Sequence, residues 1–421
     1  MDKLIIEGGR KLTGTVRISG AKNACLPILA ATLLTDEECS ISNVPDLKDV
    51  STMIKLLGEF GRGIKKENSG VRISPGEVKN VTAAYELVST MRASIAVLGP
   101  LLARYKEAKV SFPGGCVIGP RPIDLHLKGL RALGADIRIE EGYIVASAKK
   151  LKGARIYLGG HFGSSVLATA NTLMAAVLAE GQSVIEDAAC EPEITDLVNF
   201  LRKMGADIEG AGTPTLRVRG VKRLEGARHT VIPDRIESGT YMIAAVLTGS
   251  RLFLENADLA HNLALIDKLE DSGGMVEERP GGVEVYRKTG KILPTDVTTL
   301  TYPGFPTDLQ AQMMSLFTLC SGISVITEKI YPERFIHISE LNRMGADIIL
   351  EGSTAIIRGV KRLSGAPVMA SDLRASAALV LAGLVAEGRT EISRIYHLDR
   401  GYEHIERKLS AVGAKVKRVK E

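Results

Sequence analysis

The chain of 421 residues predicts an α/β fold of two domains, each built from three repeats of about 70 residues. Its length exceeds what one ordinary hydrophobic core holds, and two domains of about 200 residues are the natural division. A Leu-x-x-x-Gly element recurs six times, at Leu57/Gly61, Leu130/Gly134, Leu201/Gly205, Leu269/Gly273, Leu341/Gly345 and Leu409/Gly413, with glycine spacings of 73, 71, 68, 72 and 68. Three copies continue as Gly-Ala-Asp-Ile, from Gly134, Gly205 and Gly345. Each reads as an amphipathic helix stopped by a glycine and followed by a strand. A stop signal repeated at one period is internal duplication.

A second set of helical segments keeps the same beat, beginning near Ala24, Ala93, Val166, Thr240, Gln310 and Ala375. Segments such as Ala375-Ser376-Ala377-Ala378-Leu379-Val380-Leu381 are apolar on nearly every side, which in a soluble protein means a helix buried all round. Each repeat therefore supplies one buried helix, one half-exposed helix and several strands. Three repeats place three helices inside a shell of sheet and helix.

The buried helices start on polar residues: Lys22-Asn23, Ser89-Thr90-Met91-Arg92, Ser164-Ser165, Arg235-Ile236-Glu237-Ser238, Thr307-Asp308 and Asp372-Leu373-Arg374. Capping accounts for the Ser, Thr and Asp residues. It does not account for Lys22, Arg92, Arg235 and Arg374, because a cation at the positive end of a helix is unfavourable unless an anion sits there. Several of these helix ends are expected to face an anion-binding cleft.

The segment from Phe112 to His126 places Cys116 on a loop flanked by Gly114, Gly115 and Gly119, followed by Arg121, Asp124 and His126. Most free cysteines are small buried hydrophobes, but core cysteines rarely sit between glycines. A thiol beside cations tends toward thiolate, and a glycine-rich loop can close over a substrate. The connection is about four residues longer than its counterparts in the other repeats, which reads as an added lid.

Composition narrows the function classes. Hydrophobic residues make up 45% and charged residues 24%, as in soluble globular proteins. The net charge is +5, no Lys/Arg run is long, and Trp is absent, so a nucleic-acid surface is not expected and the basic residues suit small anions. The five cysteines (Cys25, Cys39, Cys116, Cys190 and Cys320) are scattered without zinc spacing, which predicts free thiols in a reducing cytoplasm and no metal. Met1 to Gly8 reads as a short strand rather than a signal peptide, and no apolar run is long enough to span a membrane.

Over its full length the chain resembles the enolpyruvyl transferases. The resemblance rests on Ser19-Gly20-Ala21-Lys22-Asn23, the Cys116 loop through His126, Glu191-Pro192-Glu193-Ile194, Pro303 to Gln310, Glu333-Arg334-Phe335 and Asp399-Arg400-Gly401. It implies two inside-out α/β barrels of three repeats each. Residues 1–21 plus 233–421 would form a discontinuous first lobe, and residues 22–232 a second lobe carrying the lid. Substrates would bind in a closing cleft with Lys22 at the hinge.

The activity implied by the resemblance transfers enolpyruvyl from phosphoenolpyruvate to the 3-hydroxyl of UDP-N-acetylglucosamine, with release of phosphate and no cofactor. This opens peptidoglycan precursor synthesis and bears on cell wall, shape and division, in a cytoplasmic monomer open to fosfomycin. Addition followed by elimination needs a proton donor, a base for the hydroxyl and cations around phosphate and carboxylate. By the resemblance, Cys116 is the proton donor, Asp308 the base, and Lys22 a catalytic cation. Lys22, Asn23, Arg121 and Arg400 hold phosphoenolpyruvate, with Arg334 and Arg374 adding charge. The nucleotide sugar falls to Arg92, Arg121, Pro122, Ile123, Asp124, Leu125, Ser165, Val166, Asp308 and Ile330.

Each residue also has a plainer reading. Lys22 and Arg400 could be solvated charges, Arg121 and Asp124 an ion pair, and Asp308 an N-cap. His126 is expected to hold loop geometry, and Glu191, Glu193 and Glu237 to make structural contacts. The chain departs from the family at Leu167, where glycine is usual, and at Gly163-Ser164, where some members carry a basic residue. Two alternatives stand beside this reading: transfer to shikimate 3-phosphate, and a non-catalytic paralogue that binds the nucleotide sugar.

Overall fold

The computed structural model describes residues 2–78, 80–112 and 123–420. Cys116, Arg121 and Pro122 lie outside the described residues. The chain divides into two units, one formed by residues 2–19 and 233–420, the other by the described residues from 20 to 232.

Among the described residues each unit contains three four-stranded sheets, and all six follow one plan. An edge strand runs parallel to the second, the second antiparallel to the third, and the third antiparallel to the far edge. In one sheet, for example, Thr82–Ala83 pairs parallel with Glu107–Ser111, which pairs antiparallel with Tyr143–Ser147, then Asp136–Glu140. The sheets stay separate and do not join into a closed hydrogen-bonded cylinder among the described residues. Their strands alternate: Arg251–Glu255 buries Leu252 and Leu254 and exposes Arg251 and Glu255, so one face meets the core.

In the last repeat the third strand is supplied by the beginning of the chain. Asp2–Glu7 lies between Arg389–Ser393 and Lys415–Lys420, with Ile6 opposite Thr390 on one side and Val416 on the other.

The six Leu-x-x-x-Gly glycines all end outer helices in the left-handed region, with φ of 83° at Gly61, 96° at Gly134, 97° at Gly205, 88° at Gly273, 93° at Gly345 and 99° at Gly413. A Cβ at such a φ is strained, so the repeated glycine is a backbone requirement. The outer helices are amphipathic. Pro192–Lys203 buries Ile194, Leu197, Val198 and Leu201, begins on Pro192 and carries Arg202 and Lys203 in its last turn, where cations suit the dipole.

The inner helices are Lys22–Ala31, Leu98–Tyr105 (entered through the 3-10 turn Arg92–Val97) and Val166–Ala176 in one unit, and Arg235–Thr248, Gln310–Phe317 and Leu373–Val385 in the other. Lys22–Ala31 buries every residue except Asn23, and Leu373–Val385 buries everything from Arg374 to Leu384. Side chains such as Leu29 and Leu379 are fully enclosed, and truncating such a leucine to alanine costs about 2–5 kcal/mol. Tight approaches need glycine: a Cβ at Gly99 would stand 2.3 Å from the Asn171 carbonyl oxygen, and one at Gly129 would stand 2.1 Å from Thr172 Oγ1. The helix expected from Thr240 starts five residues earlier because Asp234 caps it, accepting the Ile236 and Glu237 N–H groups. No described helix is long and apolar enough to cross a membrane.

Candidate active site

In the unit that contains both chain ends, three of the residues singled out above meet. Asp308 sits in the 3-10 turn Thr307–Leu309, immediately before the inner helix Gln310–Phe317. It does not cap that helix, whose N-terminus has no side-chain cap, because both of its oxygens are otherwise engaged. Oδ1 accepts from Arg334 Nη1 at 2.8 Å and Oδ2 from Arg374 Nη2 at 3.0 Å. Arg374 belongs to the second residue of Leu373–Val385, a helix capped by Asp372. Both arginine side chains are about 5% exposed or less, whereas Asp308 keeps 26% of its side chain accessible. Asp308 is thus the most accessible side chain of the trio.

Electrostatics fix its state. Burial pushes the Asp308 carboxyl up, but the charges of Arg374 and Arg334 and their hydrogen bonds outweigh this and hold it well below the usual carboxylate range. Arg374 moves the other way: burial alone would lower it, and the Asp308 charge raises it instead. A carboxylate between two guanidinium groups stays ionised, and its arginines can turn to an incoming phosphate or carboxylate.

Behind the trio lies a polar core. Gln312 Nε2 donates to the Asp308 carbonyl at 2.9 Å and to Tyr402 Oη at 3.0 Å, and the Arg374 guanidinium stands 5.6 Å from the Tyr402 ring centroid. Ile330, with its backbone N–H on Glu328 at 2.8 Å, follows the strand Ile323–Thr327. Arg400 ends the turn Ile395–Arg400 half-buried, next to Asp399, which pairs with Arg418. Glu237 accepts the Ser19 N–H at 2.7 Å and pairs with Lys408 at 2.7 Å.

The other unit holds the remaining candidates. Lys22, the first residue of its helix and 8% exposed, places Nζ 3.2 Å from Asp49 Oδ2. A protein carboxylate therefore answers the helix-end cation here, as Asp308 does for Arg374. Asn23 follows half-buried, and Pro27 one turn on has no N–H to return to the Asn23 carbonyl. Ile123 is buried, Asp124 opens the helix Asp124–Ala132 exposed, and Leu125 packs where a Cβ on Gly160 would stand 3.0 Å from it. Ser165 caps Val166–Ala176 by accepting from the Ala168 N–H at 3.4 Å, and Leu167 packs against the core beside Val166.

His126 lies beside Asn171. Gly99 N–H donates to Asn171 Oδ1 at 2.8 Å and Asn171 Nδ2 donates to the Ile95 carbonyl at 2.9 Å, which orients the amide. The second Nδ2 hydrogen then points at His126 Nδ1, 2.9 Å away, making that nitrogen an acceptor and leaving the ring neutral with its proton on Nε2. Burial, with the charge of Arg92 nearby, pushes the ring down to about 3. A histidine near 6.5 in the unfolded chain and near 3 when folded contributes stability in full above pH 6.5 and loses it as pH falls through that window. From pH 7.5 to 5 the expected loss from this ring is roughly 2 kcal/mol. The urea midpoint is expected to fall less over this range in His126→Gln, whose amide oxygen still accepts from Asn171. Equal falls in both proteins would count against it.

Comparison with known proteins decides the family. The sequence profile described as EPSP synthase (3-phosphoshikimate 1-carboxyvinyltransferase) matches residues 6–409. The chain belongs to the EPSP synthase family, the enolpyruvyl transferases. This enolpyruvyl transferase is 55% identical over 421 residues, covering all of both chains, to a protein of Desulfosudis oleivorans named UDP-N-acetylglucosamine 1-carboxyvinyltransferase. It is also 55% identical over 416 residues, 99% of each chain, to UDP-N-acetylglucosamine 1-carboxyvinyltransferase 1 of Caldanaerobacter subterraneus. Among solved structures it matches the enolpyruvyl transferase NikO from Streptomyces tendae, with a TM-score of 0.89 at 24% identity over 99% of each chain. EPSP synthase from Acinetobacter baumannii follows with a TM-score of 0.77 at 18% identity over the whole of both chains. These two likenesses establish the fold.

Glu328, Asp49, Gln312 and Tyr402 were not among the residues singled out from the sequence of this enolpyruvyl transferase. No local spacing marks them, because each meets its partner through the fold, Gln312 and Tyr402 being 90 residues apart.

Proposed function

We propose that this chain transfers enolpyruvyl from phosphoenolpyruvate to the 3-hydroxyl of UDP-N-acetylglucosamine and releases phosphate, at the entry to peptidoglycan precursor synthesis. Full-length identity of 55% to relatives carrying the corresponding name carries the reading. The ionised Asp308, with two arginines at its oxygens, supports it chemically.

In this scheme Cys116 protonates C3 of phosphoenolpyruvate, leaving a cationic C2. The sugar hydroxyl attacks C2 as Asp308 takes its proton, and phosphate then leaves as C3 gives up a proton. Lys22, Asn23, Arg121 and Arg400 hold the phosphate side of phosphoenolpyruvate, and Arg334 and Arg374 add charge near the carboxylate. Arg92, Arg121 to Leu125, Ser165, Val166, Asp308 and Ile330 receive the nucleotide sugar. The enzyme works as a cytoplasmic monomer, serves cell-wall growth, shape and division, and is open to fosfomycin at Cys116.

Phosphate release tests the reading. Release is expected with phosphoenolpyruvate and UDP-N-acetylglucosamine together and with neither alone. Turnover only with shikimate 3-phosphate as acceptor would assign the other branch of the family. Absence of release with either acceptor would leave a nucleotide-sugar-binding protein.

A further inference from the structure

Glu328 follows the strand Ile323–Thr327 and is fully buried. Its Oε1 accepts from Thr299 Oγ1 at 2.6 Å and from the backbone N–H groups of Ile330 at 2.8 Å and Tyr331 at 3.0 Å. Its Oε2 accepts from Thr307 Oγ1 at 2.8 Å. Four donors hold this enclosed carboxylate, with hydrogen bonds at both of its oxygens.

The last of these bonds has a directional effect. A threonine hydroxyl carries one hydrogen, and here it is spent on Glu328, so Thr307 Oγ1 can only accept from its other side. Arg334 Nη1 stands there at 3.0 Å, and the same nitrogen gives its second hydrogen to Asp308 Oδ1 at 2.8 Å. We propose that Glu328 and Thr307 are positioning residues for enolpyruvyl transfer: the carboxylate sets the direction of the Thr307 hydroxyl, which aims Arg334 at Asp308. By holding the Ile330 and Tyr331 amides, the same carboxylate fixes the loop leading to Arg334. The proposal rests on the reading of Asp308 as the base.

Asp308 is faced by Arg334 from this loop and by Arg374 from the inner helix Leu373–Val385. Asp372 bears on Arg334, Asp234 and Tyr402 bear on Arg374, and Arg334 bears on His337. Loosening Arg334 alone leaves the rest in place and raises the Asp308 carboxyl.

The test compares Thr307→Val, which keeps shape and removes the hydroxyl, with Thr307→Ser, which keeps the hydroxyl. Urea midpoints establish that both variants fold. In Thr307→Val, kcat is expected to fall on the order of tenfold with little change in KM for UDP-N-acetylglucosamine. Thr307→Ser is expected to stay near the parent. Independently of turnover, the Asp308 carboxyl is titrated by 13C NMR on carboxyl-labelled aspartate, assigned by its disappearance in Asp308→Asn. It is expected to titrate at higher pH in Thr307→Val and in Glu328→Gln than in the parent and in Thr307→Ser. An unmoved titration in Thr307→Val overturns the relay, and one unmoved only in Glu328→Gln removes Glu328 from it. A moved titration with unchanged kcat overturns the catalytic positioning. If the parent releases no phosphate, the functional reading falls while the titration still decides the relay.

Discussion

Asp308→Ala is expected to lower kcat by about 10²–10⁴-fold, the usual worth of a positioned general base. KM for UDP-N-acetylglucosamine should move far less, because the lost contact acts as the hydroxyl proton leaves. The substitution has a second effect. Arg334 and Arg374 are 5% and 3% exposed and both give a hydrogen bond to this carboxylate. Removing one member of such a buried charge cluster costs on the order of 3–5 kcal/mol. Steady-state kinetics are therefore read on the folded fraction, with circular dichroism and urea midpoints alongside. Lost stability with retained kcat would make Asp308 an anchor for the arginines and nothing more.

The second large effect is expected at Cys116. Cys116→Ser should slow turnover by at least about 10²-fold, since a hydroxyl is a far weaker acid than a thiol at neutral pH. It should also abolish covalent labelling by fosfomycin, read by intact mass. The other four thiols make this clean. Cys25, Cys39 and Cys320 are buried and Cys190 is partly so. Burial pushes the thiols of Cys25, Cys39 and Cys190 up, and the carboxylates of Glu191 and Asp187 add to the effect at Cys190. None of these three is poised as a thiolate at neutral pH. Labelling that persists in Cys116→Ser would move the reactive sulfur elsewhere.

The repeats were legible because their signal is local. A φ of 83–99° strains any residue with a Cβ, so Gly61, Gly134, Gly205, Gly273, Gly345 and Gly413 could be read off one by one. The inner helices were legible through apolar runs, but one boundary was not. Asp234 lies six residues before the apolar stretch at Thr240, and only its cap bonds reveal where that helix starts. The site divides the same way. Asp308, Arg334 and Arg374 stand in recognisable motifs, yet an aspartate heading a helix looks like a cap, and only the fold shows both oxygens taken by arginines. Similarly, the sequence marks Lys22 as a cation at a helix start, but its ion pair with Asp49, 3.2 Å away and 27 residues on, comes only with the fold. Glu328 carries no local mark at all, because its partners Thr299 and Thr307 reach it across 29 and 21 residues.

The placement of Asp2–Glu7 between Arg389–Ser393 and Lys415–Lys420 has a consequence for biosynthesis. An emerging polypeptide would have every strand and helix of the residue 20–232 unit in hand while its opening strand still lacked both neighbours. Ribosomes deliver about 5–20 residues per second, so that strand waits on the order of tens of seconds for its partners. Its alternating Leu4 and Ile6, fully enclosed in the finished molecule, stay exposed meanwhile. The two halves of this protein therefore mature in succession, and the interval between them is when a chaperone would matter most.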